Sequence, residues 1–186
     1  MVLDHVCLLP GGVRPLFIFE ERYRQMLDHA LRTDRMFGIV EQRRDGRFRP
    51  VFCACLVAAS VLAADGTSRL ILHGVQRVRI TGWAQETPFR IAEIEPVVTQ
   101  HGTGEEAARL AAEVLDLLEH AQMPEAPENL QMLKKLLTNK SPEQVCDLVA
   151  SVVVKRFVVQ RSILEEVSLP RRFDTLIREL ERPGTL

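Results

Sequence analysis

The sequence predicts an α+β chain in which a small, curled, mostly antiparallel sheet with one inserted helix is followed by a helical region. Three observations carry this. Asp45-Gly46 and Asp65-Gly66, dipeptides suited to the positive φ angles of tight hairpin turns, separate apolar runs rich in β-formers. Tyr23, Met26, Leu27, Ala30 and Leu31 recur at i, i+3, i+4, i+7 and i+8, which places them on one face of a helix. After His101-Gly102-Thr103-Gly104, a short linker, helical spacing replaces strand signals throughout. The division expected is therefore a β-rich domain over 1–100 and a helical bundle over 101–186.

In chain order, Pro10-Gly11-Gly12 is a breaker and Pro15 to Phe19 an apolar strand. The first helix begins near Glu20, where Glu20 and Glu21 meet the positive end of its dipole. Phe37 to Glu41 is a strand, as is the long stretch Phe48 to Leu62. The return strand runs through Arg69 to Leu72 and Val75 to Ile80, with Gly74 as a bulge or bend, and Pro88 to Val98 is the last strand. In the second half Leu110, Ala111, Val114, Leu117, Leu118 and Ala121 form an apolar stripe, which Pro124 and Pro127 end. Ser141-Pro142-Glu143-Gln144 combines an N-cap Ser, Pro at N1 and Gln at N3, the pattern of a capping box, and opens a helix through Val145, Leu148, Val149 and Val152. Ser168-Leu169-Pro170 is expected to cap a final helix bearing Phe173, Leu176, Ile177 and Leu180.

The 186 residues are enough to bury a core without staples, and the formal net charge of −1 points to neither a polyanion nor an acidic membrane surface. The first nine residues lack a basic start, and no uncharged run approaches the roughly 20 residues of a membrane span, so a cytoplasmic protein is expected. Cys7, Cys53, Cys55 and Cys146 are scattered among apolar neighbours and are expected to be reduced and buried.

Leu9-Pro10-Gly11-Gly12, then Leu16 to Phe19 and Ile18-Phe19-Glu20-Glu21-Arg22-Tyr23, resemble the amino-terminal signature of Lon-type ATP-dependent proteases, in which a Pro-Gly turn, an apolar strand and an Ile-Phe-Glu-x-Arg-Tyr segment open a helix. Phe37-Gly38, Leu72 to Ile80, Phe89 to Pro96 and Ser141 to Ser151 are similar to later parts of the same domain. The resemblance implies a PUA-like β pseudo-barrel followed by a helical bundle. It also implies a module that engages unfolded or extended polypeptide, or a partner protein, rather than cutting it, with an adaptor role in protein quality control as one form. One departure is clear: where the family has a Leu-Pro-Leu-Phe-Pro-Leu-like strand, this chain has only Val2-Leu3-Asp4-His5-Val6, so a short or reassigned first strand is expected.

The catalytic equipment of a complete Lon protease is not legible here. No glycine is followed by lysine, which removes the Gly-Lys-Ser/Thr phosphate loop, and Gly102-x-Gly104 reads as linker. The four lysines all lie at or beyond Lys134. Ser151 and Lys155 fall at i and i+4 of one expected helix, whose bonded amides offer no oxyanion donors. Cys53 and Cys55 share a strand face, yet His5, His29, His73, His101 and His120 show no spacing to complete a tetrahedral metal site. Neither a catalytic residue, a metal nor a cofactor is expected.

Two groups of residues suggest binding. Trp83, Phe89 and Arg90 flank a strand connection with the aromatic and arginine composition of protein-binding hot spots, although the single tryptophan is equally suited to a core. Arg77 and Arg79 alternate with Val78 and Ile80, as in a sheet with one wet face, and would rim an apolar groove. The alternative is RNA binding by the hairpin Arg43-Arg44-Asp45-Gly46-Arg47-Phe48-Arg49, which crowds four arginines around an aromatic. Against it, residues 1–100 carry 13 Lys+Arg and 11 Asp+Glu, a net of only +2, without the broad basic stripe of a nucleic-acid binder.

Overall fold

The computed structural model describes residues 1–120, 127–183 and 185, so the expected stripe member Ala121 and the stop at Pro124 lie outside the described residues. The chain divides into two compact units, Met1–Val97 and Val98–Leu186.

The first unit contains β1 (Val13–Ile18), α1 (Glu21–Arg32), β2 (Met36–Gly38), β3 (Val51–Leu62), β4 (Ser68–Gln85) and β5 (Ile91–Pro96). These five strands pair antiparallel, in the order β1-β4-β3-β2, with β5 on the far part of β4. Both predicted hairpin turns form, with Gly46 at φ 82° and Gly66 at φ 80°. In the second turn the Thr67 hydroxyl and amide donate to Asp65, holding its carboxyl below the usual carboxylate range.

β4 is one 18-residue strand with a bulge where the sequence suggested one. Gly74 faces Cys55 and Gln76 faces Ala54, which leaves Val75 as the extra residue. Glycine is required at 74 because a Cβ there would stand 2.2 Å from the Leu9 carbonyl oxygen. The Pro10-Gly11-Gly12 turn docks on this point: Gly11 N–H donates to Gly74 O (2.8 Å), and Gly74 N–H donates to Gly12 O (2.9 Å).

α1 buries Tyr23, Met26, Leu27 and Ala30, the predicted stripe, against Ile18, Ile39, Val57, Leu70 and Leu72. Full burial of a side chain such as Met26 or Leu27 contributes roughly 1.5–3 kcal/mol. The start of the chain is reassigned, as its departure from the Lon pattern suggested. Val2 makes a single parallel bridge to Val40, and the Tyr23 hydroxyl secures it by donating to Val2 O (3.0 Å) and accepting from Val2 N–H (3.2 Å).

The second unit holds α2 (Gly104–His120), α3 (Pro127–Leu137), α4 (Pro142–Val152), α5 (Phe157–Glu165) and α6 (Leu169–Leu180). The capping box at α4 is present in full: Gln144 N–H donates to Ser141 Oγ (3.3 Å), and Ser141 N–H to Gln144 Oε1 (3.1 Å). Ser168 precedes α6 but makes no side-chain cap. The turn before α6 is held instead by Arg172, whose guanidinium is fully buried and donates to Glu143 Oε1 (2.8 Å), Thr99 Oγ1 (3.0 Å) and Glu166 O (2.6 Å). α4 ends at Val152, so Ser151 and Lys155 do not share a helix. α5 was not expected; it is nine residues long and its N-cap, Arg156, makes no side-chain cap, so no start signal marks it.

Candidate functional site

The paired end of β3 comes at Val51, opposite Arg79, and β4 runs on to Gln85 with β5 at its side. On this arm Ile80 faces Ile94 and Trp83 faces Ala92, so all four project from one side. Behind them Phe52, Ala54 and Val78 form a second apolar cluster with Val40, onto which Met36, Phe48 and Ile80 pack.

Between this surface and α1 lies a cleft of about 420 Å³. One wall is Met26, His29, Ala30 and Thr33; the floor is Met36, Val40, Phe52 and Ala54; the other wall is Trp83 and the β5 approach from Phe89 to Ala92. Gly38 belongs to the floor because a Cβ there would stand 2.0 Å from the Phe52 ring. The lining is mainly hydrocarbon, sulfur and aromatic, with few polar groups, the composition of a site that holds apolar groups by burial.

The aromatic wall is braced by contacts. Phe48 meets Trp83 at 5.2 Å between centroids and 64° between planes, and the Arg90 guanidinium lies 4.8 Å from the Phe48 ring and 5.3 Å from the Trp83 ring. Phe89 lies 5.5 Å from the His29 imidazole across the cleft mouth, and its carbonyl accepts from Gln85 Nε2 (2.8 Å). Arg90 also pairs with Glu86 at 3.3 Å. Trp83 is half-buried, serving as wall on one side and as packing for Phe48 on the other.

Of the residues singled out in the sequence, Trp83, Phe89 and Arg90 come together here. Arg77 and Arg79 do not line the cleft. Arg77 is only 3% exposed and therefore cannot rim a groove. The physical reason is the Val75 bulge: one extra residue reverses the alternation, so Arg77, opposite Cys53, points to the same face as Leu72. Arg79 is exposed and sits opposite Glu95. In the arginine hairpin Arg43, Arg44 and Arg47 are exposed, whereas Arg49 pairs with Glu41 at 3.3 Å.

Sequence reading missed Met26, His29, Met36 and Phe52 as cleft residues. It also missed a second apolar surface on the sheet, where Val13, Phe17, Phe19, Val61 and Ile71 are exposed and Phe17 stacks on Phe19 at 5.9 Å. The run Phe17-Ile18-Phe19 carried that signal, since successive members face opposite ways and burying Ile18 leaves Phe17 and Phe19 together on the other face.

Among the described residues no group of three His, Cys, Asp or Glu side chains could hold a metal ion. Cys53 and Cys55 are buried neighbours; the hydrogen bond with Cys53, then burial, pushes the Cys55 thiol well up. Such a group is a poor nucleophile.

Residues 1–182 match the family described as the ATP-dependent protease La (LON) substrate-binding domain. The chain belongs to that family. It is 29% identical to Lon protease 2 of Myxococcus xanthus over 97% of its own length and 23% of that protein's, and 27% identical to the Lon protease of Anaeromyxobacter dehalogenans over 97% and 22%. The chain thus spans about a quarter of the length of these curated LON relatives. The N-terminal domain of the Mycobacterium avium complex Lon protease shares its fold, with a TM-score of 0.78, 22% identity and coverage of 98% of this chain and 97% of that one. A Lon N-terminal domain protein from Xanthomonas campestris superposes with a TM-score of 0.64 at 21% identity, over 96% and 95% of the two chains. What the chain shares with LON proteases is a substrate-recognition module, which is not a catalytic one.

Proposed function

We propose that the cleft between α1 and the β4–β5 arm receives side chains of extended or unfolded polypeptide, and that Trp83, Phe89 and Arg90 are the residues that grip it. The observation that carries this reading is an open apolar cleft, walled by a braced aromatic pair, in a chain of the LON substrate-binding family. Extended segments bind such sites by burying alternate side chains, and the outer edge of β5, which pairs only with β4 among the described residues, offers backbone groups beside the cleft. A role as an adaptor in protein quality control, in the cytoplasm, fits four cysteines buried in the fold. No helix among the described residues is long and apolar enough to cross a membrane.

Trp83 is the only tryptophan, so its emission reports on the cleft directly. Titration with a permanently unfolded protein is expected to shift that emission saturably, while the same protein in its native state leaves it unchanged. Equal indifference to both would remove the proposal. The RNA alternative is less well supported, because the Phe48 ring that would stack a base already packs on Trp83 and Arg90.

A further inference from the structure

The arginine hairpin is joined to the cleft wall through Phe48, and its charge is concentrated at the tip. Arg43, Arg44 and Arg47 are exposed against a single carboxylate, Asp45, which accepts the Arg47 N–H at 3.0 Å. The tip is itself fixed: Arg43 N–H donates to Arg47 O (2.7 Å), and Gly46 N–H to Arg43 O (2.9 Å). Three arginines and one aspartate make a net of +2 over five residues, equal to the net charge of all of residues 1–100.

We propose that the segment received by the cleft carries acidic residues close to its apolar anchor, and that Arg43, Arg44 and Arg47 select for them. This rests on the polypeptide reading above. Guanidinium forks pair with carboxylates in bidentate geometry, and a cationic rim beside an apolar pocket fixes register and partner choice more than total affinity. Screening sets the reach. At physiological ionic strength charges act over about 8 Å, and an extended chain advances about 3.3 Å per residue, so an acidic residue must come within two or three residue lengths of a tip guanidinium to feel it, and Arg47 is next in sequence to the Phe48 that meets the Trp83 wall.

The test is fluorescence anisotropy with three labelled peptides that share one apolar anchor and differ only in flanking residues, Glu, Gln or Lys. The expected order of affinity is Glu, then Gln, then Lys, with about a fivefold step from Gln to Glu at low salt, the scale of a few exposed ion pairs. The triple variant R43E/R44E/R47E is expected to reverse the order of the Glu and Lys peptides. Thermal melting of the variant checks that the exposed hairpin tip has not disturbed the fold, and the single variant R47E, expected to narrow the Glu-to-Lys gap, serves if it has. Equal binding of the Glu and Lys peptides, or an order unmoved by charge reversal, overturns the inference while leaving the polypeptide reading intact, provided that the Gln peptide binds. If the Gln peptide does not bind and the Glu peptide does so only through charge, the polypeptide reading itself fails. Tighter binding of a random RNA oligomer than of the Glu peptide would overturn the acidic-peptide assignment in favour of nucleic acid.

Discussion

Phe48 and Trp83 touch edge to face at 5.2 Å, and through this contact a hairpin between β2 and β3 supports a wall built by β4. Phe48→Ala removes the brace. The half-buried ring should cost roughly 1–3 kcal/mol of stability, less than a fully buried phenylalanine, and a red shift of Trp83 emission in the free protein should accompany it. A Trp83 spectrum identical to that of the parent would show that the brace does not shape the cleft.

Elements written in local code were legible. The α1 stripe, the two Asp-Gly turns and the Ser141 capping box depend on residues within eight positions of one another, and each appears where the spacing puts it. Arg172 was invisible for the opposite reason, since its partners Thr99 and Glu143 lie 73 and 29 residues away. Arg77 was misplaced because strand alternation presumes an unbroken register, and the Val75 bulge shifts it by one. Nor does a helical stripe tell a side chain sealed in the core from one lining a cleft, so Met26 read only as packing.

Three glycines test how the turns and the cleft floor are held. Gly74→Ala drives a methyl into the Leu9 backbone, which no side-chain rotation can relieve, and should cost the most, about 3 kcal/mol or more. Gly38→Ala meets the Phe52 ring instead, which can swing into the open cleft, for roughly 1–3 kcal/mol. Gly46→Ala finds nothing within 4 Å and incurs only the positive-φ strain of about 1 kcal/mol. Urea midpoints should follow that order, and a Gly74→Ala protein as stable as Gly46→Ala would contradict the docking of the Pro-Gly turn.

The Arg172–Glu143 pair is asymmetric, with the guanidinium 0% and the carboxylate 29% exposed. Glu143→Ala strands a buried cation and should cost about 3–5 kcal/mol in denaturant unfolding. Arg172→Met leaves a carboxylate that water can still reach and fills the space with apolar chain, so it should cost less. The reverse ranking would mean that the carbonyl bonds of Arg172, not its charge pairing, hold the turn before α6.

All four thiols are buried, and the Cys55 thiol is pushed up by its hydrogen bond with Cys53 and by burial. The same hydrogen bond holds the Cys53 thiol below its usual range, so it is burial that should keep a disulfide reagent at pH 8 from all four in the native protein on the timescale of an exposed thiol, with all four modified in guanidinium. Raising the pH to about 9, where an ordinary thiol with a pKa near 8.5 is mostly ionised, should still leave Cys55 protonated and unlabelled. Rapid native labelling at Cys53 or Cys55 would reveal a local opening of the β3 region.

Binding and folding should separate at Ala92. It faces Trp83 across the β4–β5 pair and lines the cleft, so Ala92→Phe places a second aromatic ring where the bound side chain would lie. In a packed core such an enlargement is costly, but here the added ring enters open space. An aromatic cross-strand pair and a higher β-propensity both favour the sheet, so melting should change by no more than about 1 kcal/mol in either direction. Affinity for an unfolded polypeptide should fall at least about tenfold, since the volume that buries its side chain is taken. Undiminished binding by a well-folded Ala92→Phe protein would move the site away from this cleft, and the exposed Phe17–Phe19 surface would then be the one to mutate.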